Sequence, residues 1–119
     1  PVFNGGRLKS RQALADARRE EAVLRYAGTV QQAFREAADA LVSHTKVGEF
    51  RAQQELLQLA AADARRLAGL RYQGGATSYL EVLDADTRLF AAELGLANAR
   101  REERNSYVEV YRALGGGWQ

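Results

Sequence analysis

The placement of glycine and proline constrains this chain more than any other feature. The single Pro is Pro1, and Gly clusters at Gly5-Gly6, at Gly74-Gly75 and at Gly115 to Gly117. Glycine breaks helices through backbone entropy and supplies left-handed caps. The clusters therefore leave two long uninterrupted stretches, Arg7 to Tyr72 and Ser78 to Leu114, both dominated by the strong helix formers Ala, Leu, Arg, Glu and Gln. Apolar residues recur at steps of three and four in each stretch. In the first the stripe runs through Val23, Ala27, Val30, Phe34, Ala37 and Leu41, resumes at Ala52, Leu56 and Leu59 or Ala60, and ends near Leu67 and Leu70. In the second it runs through Leu83, Phe90, Leu94, Ala97, Val108 and Tyr111. Steps averaging 3.5 describe a seam of coiled-coil or bundle packing, and Ala on the seam implies close helix approach.

The expected fold is all-α: a long antiparallel helical hairpin, coiled-coil-like, forming one segment over residues 1–119. It has a long helix over about 7–72, a tip turn at 73–77 and a return helix over about 78–114. The turn is specified by a glycine stop at Tyr72-Gln73-Gly74-Gly75 and by Ser78-Tyr79-Leu80-Glu81, an S-x-x-E capping box. At 1.5 Å per residue the two helices would be roughly 100 Å and roughly 55 Å long. A 119-residue domain has no use of its own for so long a helix. Either it bends back, or its unpaired half packs on something outside the chain. Ser43-His44-Thr45-Lys46-Val47-Gly48 is poor in helix formers, so a break over residues 43–48 would give a three-helix arrangement. His44 in that stretch reads as an exposed side chain.

Composition narrows the function. The chain begins at Pro1 and contains no Met, which points to a piece of a longer or processed protein, and it contains no Cys, which excludes disulfides and thiolate metal sites. That suits an oxidising compartment such as a periplasm. Lys and Arg number 17 against 15 Asp and Glu, with the signs interleaved, as in Arg18 to Glu21 and Arg100 to Arg104. Mixed charge of this kind marks solvated helix faces and argues against a nucleic-acid partner, Arg65-Arg66 and Arg100-Arg101 included. No apolar run reaches the ~18 residues of a membrane-spanning helix, and no leader pattern is visible.

Glu81, Asp84 and Asp86 could suggest acid–base or metal chemistry, but His44 is the one His and lies far away in sequence. Acidic residues in a first helical turn are favoured by the macrodipole in any case. Gly74-Gly75 follows a helix and lacks the Lys and Ser/Thr of a phosphate loop. No catalytic residue, cofactor or metal site is expected. Tyr72 and Tyr79 flank the turn and pack the helix ends together, and Trp118 belongs to a terminus after a glycine run.

Three motifs carry a resemblance. Arg71 to Ala85, reading RYQGGATSYLEVLDA, is similar to the R-Y-x-x-G-x-x-S-Y-L-E-V-L-D-A signature of TolC-like outer-membrane efflux proteins. Pro1 to Arg7, reading PVFNGGR, resembles the family segment where a barrel strand hands over to a long periplasmic helix. Tyr111 to Trp118, reading YRALGGGW, is similar to the family's closing motif. The resemblance covers essentially the whole chain. It implies the second-repeat helical hairpin of a homotrimeric channel in the outer membrane of a Gram-negative bacterium, this segment being periplasmic. The channel would serve multidrug efflux as the exit duct of an inner-membrane pump reached through a periplasmic adaptor protein. Residue by residue, Gly74, Gly75, Ala76 and Thr77 correspond to the tip loop that meets the adaptor. Tyr72 corresponds to a tyrosine that holds the periplasmic entrance closed, and Glu81 and Asp84 to acidic pore-lining positions. Some members carry at the position of Thr77 an Arg that latches the tip, and no such charge exists here. The competing reading is a stand-alone coiled-coil scaffold, which needs no specific Tyr-x-x-Gly-x-x-Ser-Tyr turn.

Overall fold

The computed structural model describes residues 5–116; the motif residues Pro1 to Asn4, and Gly117 and Trp118, lie outside them. Two helices account for nearly all of the described chain: α1, Arg7–Gln73, of 67 residues, and α2, Tyr79–Ala113, of 35 residues. Among the described residues there is no strand, and no helix is long and apolar enough to cross a membrane. The chain divides into two units, Pro1–Ala38 and Asp39–Gln119.

In the first unit Gly5 and Gly6 take positive φ, and the helix begins with Ser10 N–H donating to Gly6 O at 2.9 Å. The side-chain hydrogen bonds described here join helical neighbours. Arg25 donates to Glu21 at 2.6 Å, and Gln32 to Glu36 at 2.8 Å, both at the i,i+4 spacing that favours such pairs. Val23, Leu24, Tyr26 and Phe34 are exposed.

The second unit is the antiparallel hairpin. Its turn is built by backbone hydrogen bonds. Gly75 N–H donates to Tyr72 O at 3.0 Å and Ala76 N–H to Arg71 O at 2.8 Å, with Gly75 at φ +73°. That pair of bonds closes a Schellman motif, in which a glycine in the left-handed region satisfies the last carbonyls of a helix. The same motif ends α2, with Gly115 at φ +85° and Gly116 N–H on Tyr111 O at 2.9 Å. Ser78 occupies the N-cap of α2 in extended geometry, yet its hydroxyl makes no cap bond. The reciprocal capping box is therefore not formed, because the Glu81 carboxylate takes charged and hydroxyl partners instead.

Two points left to the fold are decided in the hairpin. First, of the two alternatives for the long helix the continuous one holds: α1 runs unbroken through Ser43 to Gly48, and no three-helix arrangement forms. Tertiary and local contacts hold the poor helix formers: His44 bonds Ser106, Thr45 Oγ1 donates to Leu41 O, and Lys46 pairs with Glu49. His44 is accordingly half-buried and not exposed. Second, the seam lies on another face. On α2 the buried residues are Val82, Ala85, Ala92, Leu96, Ala99 and Ser106, with Leu89 and Glu103 half-buried between them, a run of alternating three- and four-residue steps. Leu83, Phe90, Leu94, Val108 and Tyr111 of the expected stripe are exposed, as are Leu56, Leu59 and Leu70 on α1. On α2 the contact is made by alanines together with Val82, Leu89 and Leu96, and most of the other large apolar residues face away from it.

Candidate tip and entrance site

The tip is rigidly specified by its own residues. Arg71, at the end of α1, and Glu81, in the first turn of α2, both face the turn. Arg71 Nη1 donates to Glu81 Oε1 at 2.8 Å, while Thr77 Oγ1 donates to the other carboxylate oxygen. Each partner also suits its helix end, since a cation at a C-terminus and an anion at an N-terminus oppose the end charges of the helix. The Tyr72 and Tyr79 rings pack behind this bridge with centroids 5.3 Å apart and planes tilted by 55°, a favourable aromatic arrangement.

Of the residues singled out from the sequence, the fold bonds Thr77 to Glu81 and packs the Tyr72 ring on Tyr79. Gly74, Gly75 and Ala76 form the exposed turn beside them. A Cβ on Gly75 would meet nothing within 4 Å, whereas one on Gly74 would touch Leu70 O at 3.5 Å. Gly75 is thus required by its positive φ and not by crowding inside the chain. Asp84 stands apart from the turn and pairs with Arg88 at 2.9 Å, both side chains more than half exposed. Glu81 and Asp84 border a groove of about 690 Å³ between the helices, lined chiefly by Ala60, Ala61, Ala64, Ala68, Ala85 and Ala92.

Sequence reasoning missed three sets of residues. Arg71 and Arg88 are the partners of the two acidic positions, and Arg65 Nε donates to Asp86 Oδ1 at 2.7 Å. Farther from the turn, Arg51, Glu55, Arg100 and Glu103 form a charge network between the helices. Arg100 bonds Glu55 at 3.1 Å, and Arg51 reaches Glu55 at 2.7 Å and Glu103 at 3.0 Å. The hydrogen bond from Arg100, then that from Arg51, holds the Glu55 carboxyl below its ordinary range. The bond to Glu55, with Glu103 beside it, raises the Arg51 guanidinium above its own. The signal for this set was present in sequence, since Glu103 and Ser106 continue the Val82-to-Ala99 spacing.

Among the described residues no group of three or more His, Cys, Asp or Glu side chains converges as a metal site. The family model of the outer membrane efflux proteins matches residues 1–116. The chain belongs to that family. It is 37% identical over 118 residues to the outer membrane protein OprJ of Pseudomonas aeruginosa, covering 99% of this chain and 25% of OprJ. It is 39% identical over 120 residues to the cation efflux system protein CusC of Escherichia coli, covering all of this chain and 26% of CusC. The crystal structure of CusC superposes with a TM-score of 0.87 at 35% identity, over 98% of this chain and 27% of that one. This efflux-protein segment therefore spans about a quarter of the length of the curated relatives it matches. It corresponds to the helical periplasmic portion of these outer membrane efflux proteins.

Proposed function

We propose that the chain forms part of the periplasmic helical barrel of a trimeric outer-membrane efflux channel, the exit duct of a pump that reaches it through a periplasmic adaptor. Gly74, Gly75, Ala76 and Thr77 are the adaptor-docking turn, Tyr72 closes the entrance, and Glu81 and Asp84 line it. The reading rests above all on one observation: a family match over residues 1–116 that includes a sharply defined, solvent-exposed turn. The internal bonding of the turn supports it further. The Schellman bonds and the Arg71–Glu81–Thr77 bridge hold the turn without help from other chains, so it can serve as a fixed surface. Preorganisation of that kind lowers the ordering cost of association.

The large apolar residues turned away from the hairpin seam fit a barrel wall whose other helices lie outside this chain. A stand-alone scaffold leaves both the turn chemistry and those exposed faces without a role.

The test exploits the open space at Gly75. Asn tolerates the left-handed region, so Gly75→Asn adds a side chain with little backbone strain, whereas Gly75→Glu adds both. In the full-length protein both variants should assemble and both should lose efflux, because the obstruction comes from the docked partner. Normal efflux through an assembled Gly75→Glu channel would overturn the docking role.

A further inference from the structure

In the hairpin, hydrophobicity alone does not choose the face by which the helices meet. The observed seam of α2 carries Val82, Ala85, Leu89, Ala92, Leu96 and Ala99. Rotating α2 by about one and a half residue positions, roughly 150°, would present Leu83, Thr87, Phe90, Leu94 and Ala97 instead. Thr87 apart, that alternative is as apolar and would bury larger side chains. A specific interaction must therefore decide between the two.

The seam becomes polar at its end away from the turn. Ser106 is 3% exposed, the one buried polar residue among those described. Its hydroxyl oxygen lies 2.7 Å from Glu103 O. His44 Nδ1 lies 2.7 Å from the same oxygen. Ser106 Oγ joins the two helices in either imidazole tautomer, accepting from Nδ1–H in one and donating to Nδ1 in the other. The imidazole is further held by the Tyr107 ring, whose centroid is 4.4 Å away. Adjacent to this pair, Arg51 Nε sits 3.0 Å from Glu103 Oε2 but out of line for a hydrogen bond, and Glu55 joins Arg51 to Arg100. Gly48 also lies against this group, where a Cβ would be in ordinary contact with Glu103 Oε1 at 3.5 Å. In the rotated arrangement Arg101 and Arg104 would replace Glu103 opposite Arg51, setting like charges against each other, and Ser106 and His44 would part.

We propose that His44, Arg51 and Glu55 of α1, with Arg100, Glu103 and Ser106 of α2, form a polar clasp that sets the rotational phase of the hairpin at the end remote from its turn. Polar groups in an otherwise apolar seam are best attested in this selecting role, often at some cost in stability. The Schellman turn fixes the near end, and the clasp fixes the far end. Between them the Ala-rich seam is free to be featureless.

Two cysteine pairs read the phase. A Cβ on Gly95 would lie 2.8 Å from Gln54 Oε1, so Q54C/G95C reports the observed arrangement, and Q54C/E93C, whose second position the rotation brings to the same place, reports the rotated one. In the otherwise unaltered protein the first pair should cross-link and the second should not. Removing the clasp with H44L and E103L should shift the ratio of the two cross-links by about fivefold or more toward the second. H44N keeps a hydrogen-bonding amide near the Nδ1 position and should restore the original ratio when Glu103 is present. A clasp variant that melts earlier yet keeps the original ratio shows a merely stabilising role and overturns the proposal. Should H44L/E103L fail to fold, the single variants H44L and E103Q are read by the same ratio.

Discussion

Arg71 and Glu81 bridge the turn of the hairpin at 2.8 Å, so an acid proposed to line the entrance has a permanent counter-charge on its own chain. Asp84 has another in Arg88. These pairs are largely exposed and hold their charges loosely, each being worth at most about 1 kcal/mol. In the proposed entrance these acids would act on passing ions only as far as their arginines allow.

This gives a prediction with opposite signs. In the full-length trimer, Glu81→Gln with Asp84→Asn should weaken cation selectivity, while Arg71→Gln should strengthen it by releasing Glu81. Reversal potentials in planar bilayers measure both. Unchanged selectivity in both variants would leave Glu81 as a turn-bracing residue alone.

The seam predicts a contrast between two leucines two positions apart. Leu96 is 7% exposed and Leu94 54%. Leu96→Ala should cost about 2 to 4 kcal/mol, and Leu94→Ala should cost the hairpin less than about 0.5 kcal/mol. Urea melts of the chain followed by helical circular dichroism make the comparison. A reversed order would mean that the helices meet by the other face.

Acid should loosen the far end of the hairpin through Glu55. Its carboxyl is held below the ordinary 4.5 by Arg100 and Arg51. A depressed folded-state value contributes stability that is complete above the unfolded value and disappears as pH falls through the lower folded one. Thermal melts should therefore be flat from neutral pH to about pH 5 and then decline, with Glu55→Gln removing part of the decline. A variant with the same pH profile as the unaltered chain would show that Glu55 is not linked to folding.

The exposed apolar residues predict self-association of the chain by itself. Val23, Phe34, Leu59, Phe90 and Val108 are each more than half exposed, and burying one such side chain is worth about 1.5 to 3 kcal/mol. They are exposed within each unit, so copies should share these faces. Sedimentation equilibrium should find oligomers at micromolar concentration; a monomer throughout would contradict the argument.

Much of this was legible in the residues alone. Local chemistry is written in local sequence. The Gly74-Gly75 pair could only end a helix, and the long Ala-, Leu- and Arg-rich stretches on either side could only be helices. The tip motif from Arg71 to Ala85 carried the family. What the sequence could not decide was which of two apolar faces meets the partner helix. A 3.5-residue period is equally present at Val82, Leu89, Leu96 and at Leu83, Phe90, Leu94, and size favours the second. Pairing chose the first, because only there do Glu103 and Ser106 meet Arg51 and His44. The same pairing carried α1 across Ser43 to Gly48 against its own propensity and gave Glu81 to Arg71 instead of to the helix cap. Propensity is a sum of small local terms, whereas phase and partner choice depend on groups that lie far apart in sequence, up to 62 residues for His44 and Ser106. Those contacts exist only once the hairpin has closed.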